Sequence, residues 1–369
     1  MSPAGDVALI FHEVYRGRGF SPMKASWLRY GVGYDLMASL GLLGDRVRVV
    51  RPDPATQDEL LLAHTAEYVH RVRVADEAGV GFLDGPDTPS WQGMYCRAAT
   101  AVGGTLLAAR WTMVGDIAHA FNPAGGLHHA QLDRASGFCI FNDIVIAVRV
   151  LQREFGLTRI AVVDIDGHHG DGTQALLYDE PILTISLHQY DGRFYPGTGR
   201  VEEIGRGAGA GYSVNVPLSR RVGDATYLGA FDAIVPPLLS AYRPEFIIVQ
   251  FGTDAHVGDP LVGLSLTTRA YAGLARRLHA LGHELARGRL LFLGGGGYNP
   301  PSVARCWAIL MAVLSGALTD ETREPFAALL DETSPVEDPS VGRSVATTVE
   351  QVRAQIFPFH GLPTATHSD

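Results

Sequence analysis

Residues 161–171 read Ala161-Val-Val-Asp-Ile-Asp-Gly-His-His-Gly-Asp171, an apolar run that stops abruptly in a polar, glycine-punctuated cluster. The pattern recurs along the chain. Val7–Phe11 stops at His12, Ile182–Leu187 at His188, Phe246–Phe251 at Gly252-Thr-Asp-Ala-His256, and Leu290–Leu293 at Gly294-Gly-Gly-Gly-Tyr-Asn299. Short runs rich in Val, Ile, Leu and Phe are expected of strands buried on both faces of a parallel sheet. Helical patterns lie between them. Leu274, Leu278, Leu281 and Leu285 share one face, and Arg276, His279, His283 and Arg287 lie away from it, where the two histidines are expected to be solvated. Asp224 reads as the cap of a helix to about Leu239, and Ser302 as the cap of one through Leu314. Strands alternating with helices predict a single-domain three-layer α/β/α fold with a mainly parallel central sheet. Ligands in such folds bind beyond the carboxyl ends of the strands, where all of these polar clusters fall.

The chain has 369 residues, and no linker is evident before about residue 319. The expected organisation is one catalytic domain over 1–318, with 319–369 a partly irregular extension packed on it and LPTATHSD fraying at the end. At 46% hydrophobic and 19% charged, the composition excludes a disordered chain. Lys plus Arg is 30 against 39 for Asp plus Glu, a net charge of −9 that argues against direct nucleic-acid binding. No apolar run approaches the roughly 18 residues of a membrane span, and the N-terminus lacks the order of a secretory signal. Cys96, Cys139 and Cys306 are widely separated, which disfavours a disulfide scaffold or thiolate zinc site and makes the cytoplasm the expected compartment. The sequence specifies no oligomeric state.

Within 161–171, Asp164, Asp166 and His168 alternate, so an extended chain points them to one side. Two carboxylates and an imidazole at a strand end suit a hard or borderline divalent cation; the plainer alternative is a capped strand end. Asp254 in the 250–256 cluster can supply a third ligand and leave a position open for water, or it can cap the next segment. No spacing rule assigns His256. In Gly125-Gly-Leu-His-His-Ala130, His128 and His129 sit side by side on a glycine-flanked loop, so one can act as base while the other orients or stabilises charge. Asp164 and Asp171 are candidates to hydrogen-bond these rings and fix their tautomers. The four glycines before Tyr298 lack the Lys and Ser/Thr of a phosphate-binding loop, and Tyr298 offers a hydroxyl to a carbonyl oxygen that becomes negative. Gly207–Gly211 lacks the strand-to-helix context of a dinucleotide site and reads as a loop.

Seven segments together, AHAFNPAGGLHHA, ASGFCIFND, VVDIDGHHGDGTQ, SLHQYDGRFYPGTG, YSVNVPL, FGTDAHVGDPL and GGGGYN, resemble the successive motifs of the zinc-dependent histone deacetylase superfamily. The resemblance covers about residues 7 to 318. It leans toward class I and bacterial acetoin-utilisation-type enzymes, whose form is HHGDG, while GTQ and CIFN have a class II flavour. It implies the arginase/deacetylase-like fold and a metal-dependent amidohydrolase that removes acetyl or related acyl groups from the side-chain amine of lysine in proteins or peptides. Zn2+ is the implied metal, with Fe2+ also suited to the ligand set.

By motif, Asp166, His168 and Asp254 are the implied zinc ligands. His128 and His129 are the implied tandem histidines, supported by Asp164 and Asp171 respectively, with His129 the principal base and then acid. Tyr298 is the implied donor to the substrate carbonyl. Gly137, Phe138, Tyr195 and Leu261 match positions that line the acyl-lysine channel, with Tyr195 where many relatives have Phe, and Asp87 matches a rim aspartate. The family also binds structural K+. Asp164 and Asp166 with backbone oxygens of His168, Ser186 and Leu187 match a nearer site, and Leu177, Glu180, Leu183 and Tyr212 a farther one.

The alternative substrate is an acetylpolyamine or other small acetylated amine. A binuclear manganese ureohydrolase shares a similar layered fold, but it needs a DxD pair where this chain reads Gly252-Thr-Asp254, which favours one metal. A non-catalytic binding protein on the same fold is the remaining alternative, disfavoured because every chemically necessary group is present.

Overall fold

The computed structural model describes residues 7–17, 19, 23–318 and 324–364. Its eight strands are β1 (Val7–Ile10), β2 (Val47–Val50), β3 (His119–Asn122), β4 (Ile160–Asp164), β5 (Leu183–Gln189), β6 (Ser213–Leu218), β7 (Phe246–Gln250) and β8 (Leu290–Leu293). They form one sheet in the order β2-β1-β3-β8-β7-β4-β5-β6. Every adjacent pair is parallel, so the sheet is parallel throughout.

The period of two along each strand explains the unbroken apolar runs. Val7 and Leu9 enter one core while Ala8 and Ile10 enter the other, and Ile247 and Val249 are divided in the same way from Phe246 and Ile248. One helical layer contains Arg29–Ser39, Asp224–Tyr242, Thr268–Ala286, Pro300–Leu314 and Pro339–Ile356; the other contains Ala66–Ala78, Met94–Val114 and Asp143–Phe155. Among the described residues no helix is long and apolar enough to cross a membrane.

Three strands were not legible as apolar runs. β2 and β6 are sheet edges with polar residues, and β3 is only four residues long, with His119 and Asn122 at its ends. Two helix starts differ from the sequence reading. Asn299, not Ser302, is the residue before the helix that opens on Pro300-Pro301, and Ser302 is buried within its first turn. Gly223 precedes the helix of Asp224, whose carboxylate instead accepts the Thr267 backbone N–H at 2.8 Å and its hydroxyl at 2.6 Å. His279 and His283 are not simply solvated. They lie near the end of Thr268–Ala286, where its polar side meets the amino edge of the sheet, and their Nε2 atoms stand 3.0 Å from that of buried His119.

The C-terminal segment carries an 18-residue helix, Pro339–Ile356, capped by Asp338 and packed on β6 and on Asp224–Tyr242. Residues 319–323 and 365–369, part of the stretch read as irregular or frayed, lie outside the described residues.

Candidate functional site

Four loops converge beyond the carboxyl ends of β3, β4, β7 and β8. β4 stops at Asp164, so Asp166 and His168 belong to the following loop rather than to an alternating strand. That loop is folded by its own carboxylates: the Asp166 N–H donates to Asp164 Oδ1 (3.0 Å) and the His168 N–H to Asp166 Oδ1 (2.9 Å). Asp254, from the loop after β7, accepts the Gly167 N–H at 2.7 Å. His168 Nδ1 lies 3.2 Å from Asp166 Oδ1 and 2.9 Å from Asp254 Oδ2. One ligand atom from each of Asp166, His168 and Asp254 lies within 4.8 Å of the other two, and all three residues are buried.

Two buried carboxylates so close together repel. Burial raises Asp254, the Asp166 charge raises it further, and it reaches about 7 despite His168. Burial also opposes ionisation of Asp166, but His128 and His168 outweigh it and hold Asp166 well below the usual carboxylate range. The neighbouring imidazoles leave Asp254 raised, whereas a divalent cation offsets both enclosed carboxylates. Two oxygens and one nitrogen are a donor set that such a cation accepts. The residues present therefore fit a divalent cation.

Glycines make room for it. A Cβ on Gly296 would collide with carboxylate oxygens of Asp254 and Asp166, while its N–H donates to Asp166 Oδ2 at 2.7 Å. A Cβ on Gly252 would collide with Asp166. The position where a second carboxylate would serve a binuclear centre is thus filled by the first.

The loop after β3 brings the histidine pair to the same place. His128 Nδ1 is 2.7 Å from Asp164 Oδ2, His129 Nδ1 is 2.6 Å from Asp171 Oδ1, and the two Nε2 atoms are 3.1 Å apart. Burial alone would lower His128, but the Asp164 and Asp166 charges raise it to about 9. Burial and the neighbouring His128 push His129 down to about 4, although Asp171 pulls the other way. Adjacent rings with opposite shifts are equipped for different tasks. Tyr298 follows the glycine loop, and burial together with the Asp254 and Asp166 charges holds its phenol protonated, well above its ordinary value.

A cavity of about 350 Å³ leads down to these groups, lined by Asp87, His129, Gly137, Phe138, His168, Arg193, Phe194, Tyr195, Leu261 and Tyr298. All five residues expected at the channel are there. Asp87 is partly engaged, its Oδ2 accepting the Gly137 N–H at 2.9 Å. The Tyr195 hydroxyl is 2.6 Å from Ser136 Oγ, and its ring meets His129 edge-on at 5.1 Å.

Of the residues matched to potassium, Asp164 and Ser186 are register partners on β4 and β5. The Leu187 carbonyl lies 3.4 Å from the Tyr227 hydroxyl. At the farther group the Leu177 carbonyl accepts the Glu180 N–H at 3.0 Å, and the Tyr212 carbonyl accepts the Thr184 N–H at 2.8 Å, next to Leu183. Glu180 pairs through its side chain with Arg149.

Sequence reasoning missed several residues here. Gln250, paired with Asp164 across the sheet, donates to Asp166 Oδ2 at 2.7 Å; it opens the 250–256 cluster, in which only Asp254 had a role. Phe194 stacks on the His168 ring at 5.0 Å and 15°, and nothing in Phe194-Tyr195 tells which ring does so. Asp259 accepts the Leu261 N–H at 2.9 Å and the Tyr298 N–H at 2.8 Å, tying a channel wall to the tyrosine. Arg29 donates to the Gly297 carbonyl at 2.7 Å and lines a smaller cavity behind the histidines, with no local signal in the sequence. His256, left unassigned, turns away from the cluster and bonds Asp331 Oδ2 at 2.9 Å.

The comparisons with known proteins agree with this arrangement. Residues 24–314 match the histone deacetylase domain family. The acetoin utilization protein AcuC of Bacillus subtilis is 39% identical over 292 residues, covering 77% of this chain and 75% of that protein. Histone deacetylase 8 of Xenopus tropicalis is 37% identical, covering 80% of this chain and 79% of that protein. A crystal structure of an HDAC homologue complexed with SAHA superposes with a TM-score of 0.82 at 28% identity, covering 94% of this chain and 99% of the other. The protein therefore belongs to the histone deacetylase family and is a hydrolytic deacetylase.

Proposed function

We propose that this enzyme removes acetyl groups from the side-chain amine of lysine in proteins or peptides, using one Zn2+ held by Asp166, His168 and Asp254. The convergence of those three side chains, with His168 lining the 350 Å³ cavity, carries the proposal. Zinc, when bound, supplies Lewis acidity to the amide carbonyl and to water; ferrous iron suits the same donors.

This chain's own residues do the rest. Phe138 and Tyr195 flank the four-methylene stem of the side chain and exclude water from it. His129, kept neutral by its surroundings and oriented by Asp171, takes a proton from the attacking water at Nε2 as the new C–O bond forms. His128, hydrogen-bonded to Asp164, keeps its positive charge beside that base. The Tyr298 hydroxyl donates to the carbonyl oxygen as it becomes negative. The C–N bond then breaks, the proton on His129 passes to the departing nitrogen, the new carboxylic acid gives up its own proton to the amine, and acetate and the lysine ammonium remain. Asp87 at the rim is assigned to the substrate backbone. K+ is assigned to the Asp164, Asp166, His168, Ser186 and Leu187 group and to the Leu177, Glu180, Leu183 and Tyr212 group. Residues 1–318 form the catalytic domain in this reading, 319–369 are its extension, and the reduced cysteines suit the cytoplasm.

The test is turnover by the purified protein on acetyl-lysine peptides beside acetylated polyamines, with metal content measured on the same sample. Faster turnover of the peptides, dependent on zinc that is lost in Asp254→Asn, is the expected result. Preference for polyamines would replace the substrate, and full activity after chelation would remove the metal.

A further inference from the structure

At the opposite edge of the sheet, three imidazoles meet. His119 opens β3, in register with Val7 of β1 and Leu290 of β8, and is 2% exposed. His279 and His283 are one turn apart on Thr268–Ala286, the first partly buried and the second exposed. The Nε2 atoms form a nearly equilateral triangle: 3.0 Å from His119 to His283, 3.0 Å from His119 to His279 and 3.1 Å from His279 to His283. The three rings are mutually close to perpendicular, at 81°, 88° and 80°.

Hydrogen bonding alone accounts poorly for this arrangement. A neutral imidazole has one N–H, and a hydrogen bond puts that proton on the line between two nitrogens. One proton therefore serves one edge of the triangle and leaves the third nitrogen facing a lone pair. Further protons would set positively charged rings against one another with their Nε2 atoms only 3.0–3.1 Å apart. His119 Nδ1 is also buried without a hydrogen-bond partner, so this ring gains little elsewhere. A cation satisfies all three nitrogens at once. At the usual zinc–nitrogen distance of about 2.0–2.1 Å it sits about 1 Å off their plane, with three nitrogens on one side and the other side open.

We propose that His119, His279 and His283 form a second metal site, for a borderline divalent cation of the zinc class, with its fourth position open to solvent beside His283. Three neutral imidazoles without a carboxylate select zinc, cobalt or nickel over magnesium or calcium. The bound ion would clamp the end of Thr268–Ala286 to the amino edge of β3. The proposal is independent of the catalytic reading, because it shares no residue with the carboxyl-edge cluster.

The experiment compares zinc stoichiometry in the chelator-stripped full chain and in the double variant His279→Gln/His283→Gln, whose changes lie on the outer part of the cluster. Melting curves of both proteins check the fold. The expected result is one fewer equivalent of Zn2+ in the double variant, with loss of the Zn2+-induced rise in Tm. The single variant His283→Gln should weaken that equivalent by at least about tenfold. Equal stoichiometry in wild type and double variant would overturn the proposal, as would undiminished affinity in both variants.

Discussion

The two edges of the sheet each gather three side chains able to hold a metal, by opposite means. At the carboxyl edge, Asp166, His168 and Asp254 sit on loops whose backbone N–H groups bind the same carboxylates, so the cluster is fixed by its own connections. At the amino edge, His119, His279 and His283 project from a strand and a helix, and only the packing of those elements brings them together. The first arrangement is buried and lies beside the His128–His129 pair and the phenol of Tyr298. The second opens outward. Ligand number therefore does not separate a catalytic centre from a clamp; the company of the ligands does.

That contrast breaks most readily at the carboxyl edge. Asp254→Asn should abolish metal retention at the catalytic cluster and reduce kcat by at least about 1,000-fold, since Lewis-acid assistance contributes several kcal/mol. Metal analysis and turnover on an acetyl-lysine peptide check both. Tyr298→Phe should keep its metal and lose about 100-fold to 1,000-fold in kcat, as expected for removal of one donor to a developing oxyanion. Asp259→Ala touches neither metal nor substrate but releases the Leu261 and Tyr298 backbones, and should lower kcat about 10-fold to 100-fold. His256→Ala should leave kcat and metal content unchanged while costing about 1.5–3 kcal/mol in denaturant unfolding, because it strips a partner from Asp331. At the amino edge, His279→Gln/His283→Gln should alter kcat by no more than about twofold, since distant independent sites nearly add. A large loss there would mean the two edges communicate.

What could be read beforehand follows the same division. β1, β4, β5, β7 and β8 were visible because burial on both faces demands unbroken apolar residues. The carboxyl-edge ligands were visible because each lies at the end of such a run. β2, β3 and β6 lacked that signature: two are edges, and β3 spends two of its four residues on polar side chains. The His119 cluster was invisible because residues about 160 positions apart leave no local pattern; of the i,i+4 pair expected in solvent, His283 is exposed and His279 only partly so. Arg29 and Gln250 were missed for related reasons, one reaching the site from a helix and the other across a strand pair. The helix Pro339–Ile356 did have a signal, an aspartate cap followed by proline at the first helical position.

The glycine at 252 has an electrical consequence. With no third carboxylate beside them, Asp166 and Asp254 would between them balance a seated dication, and the loaded ligand set would carry no surplus negative charge. That balance suits an uncharged amide at the ion better than a guanidinium.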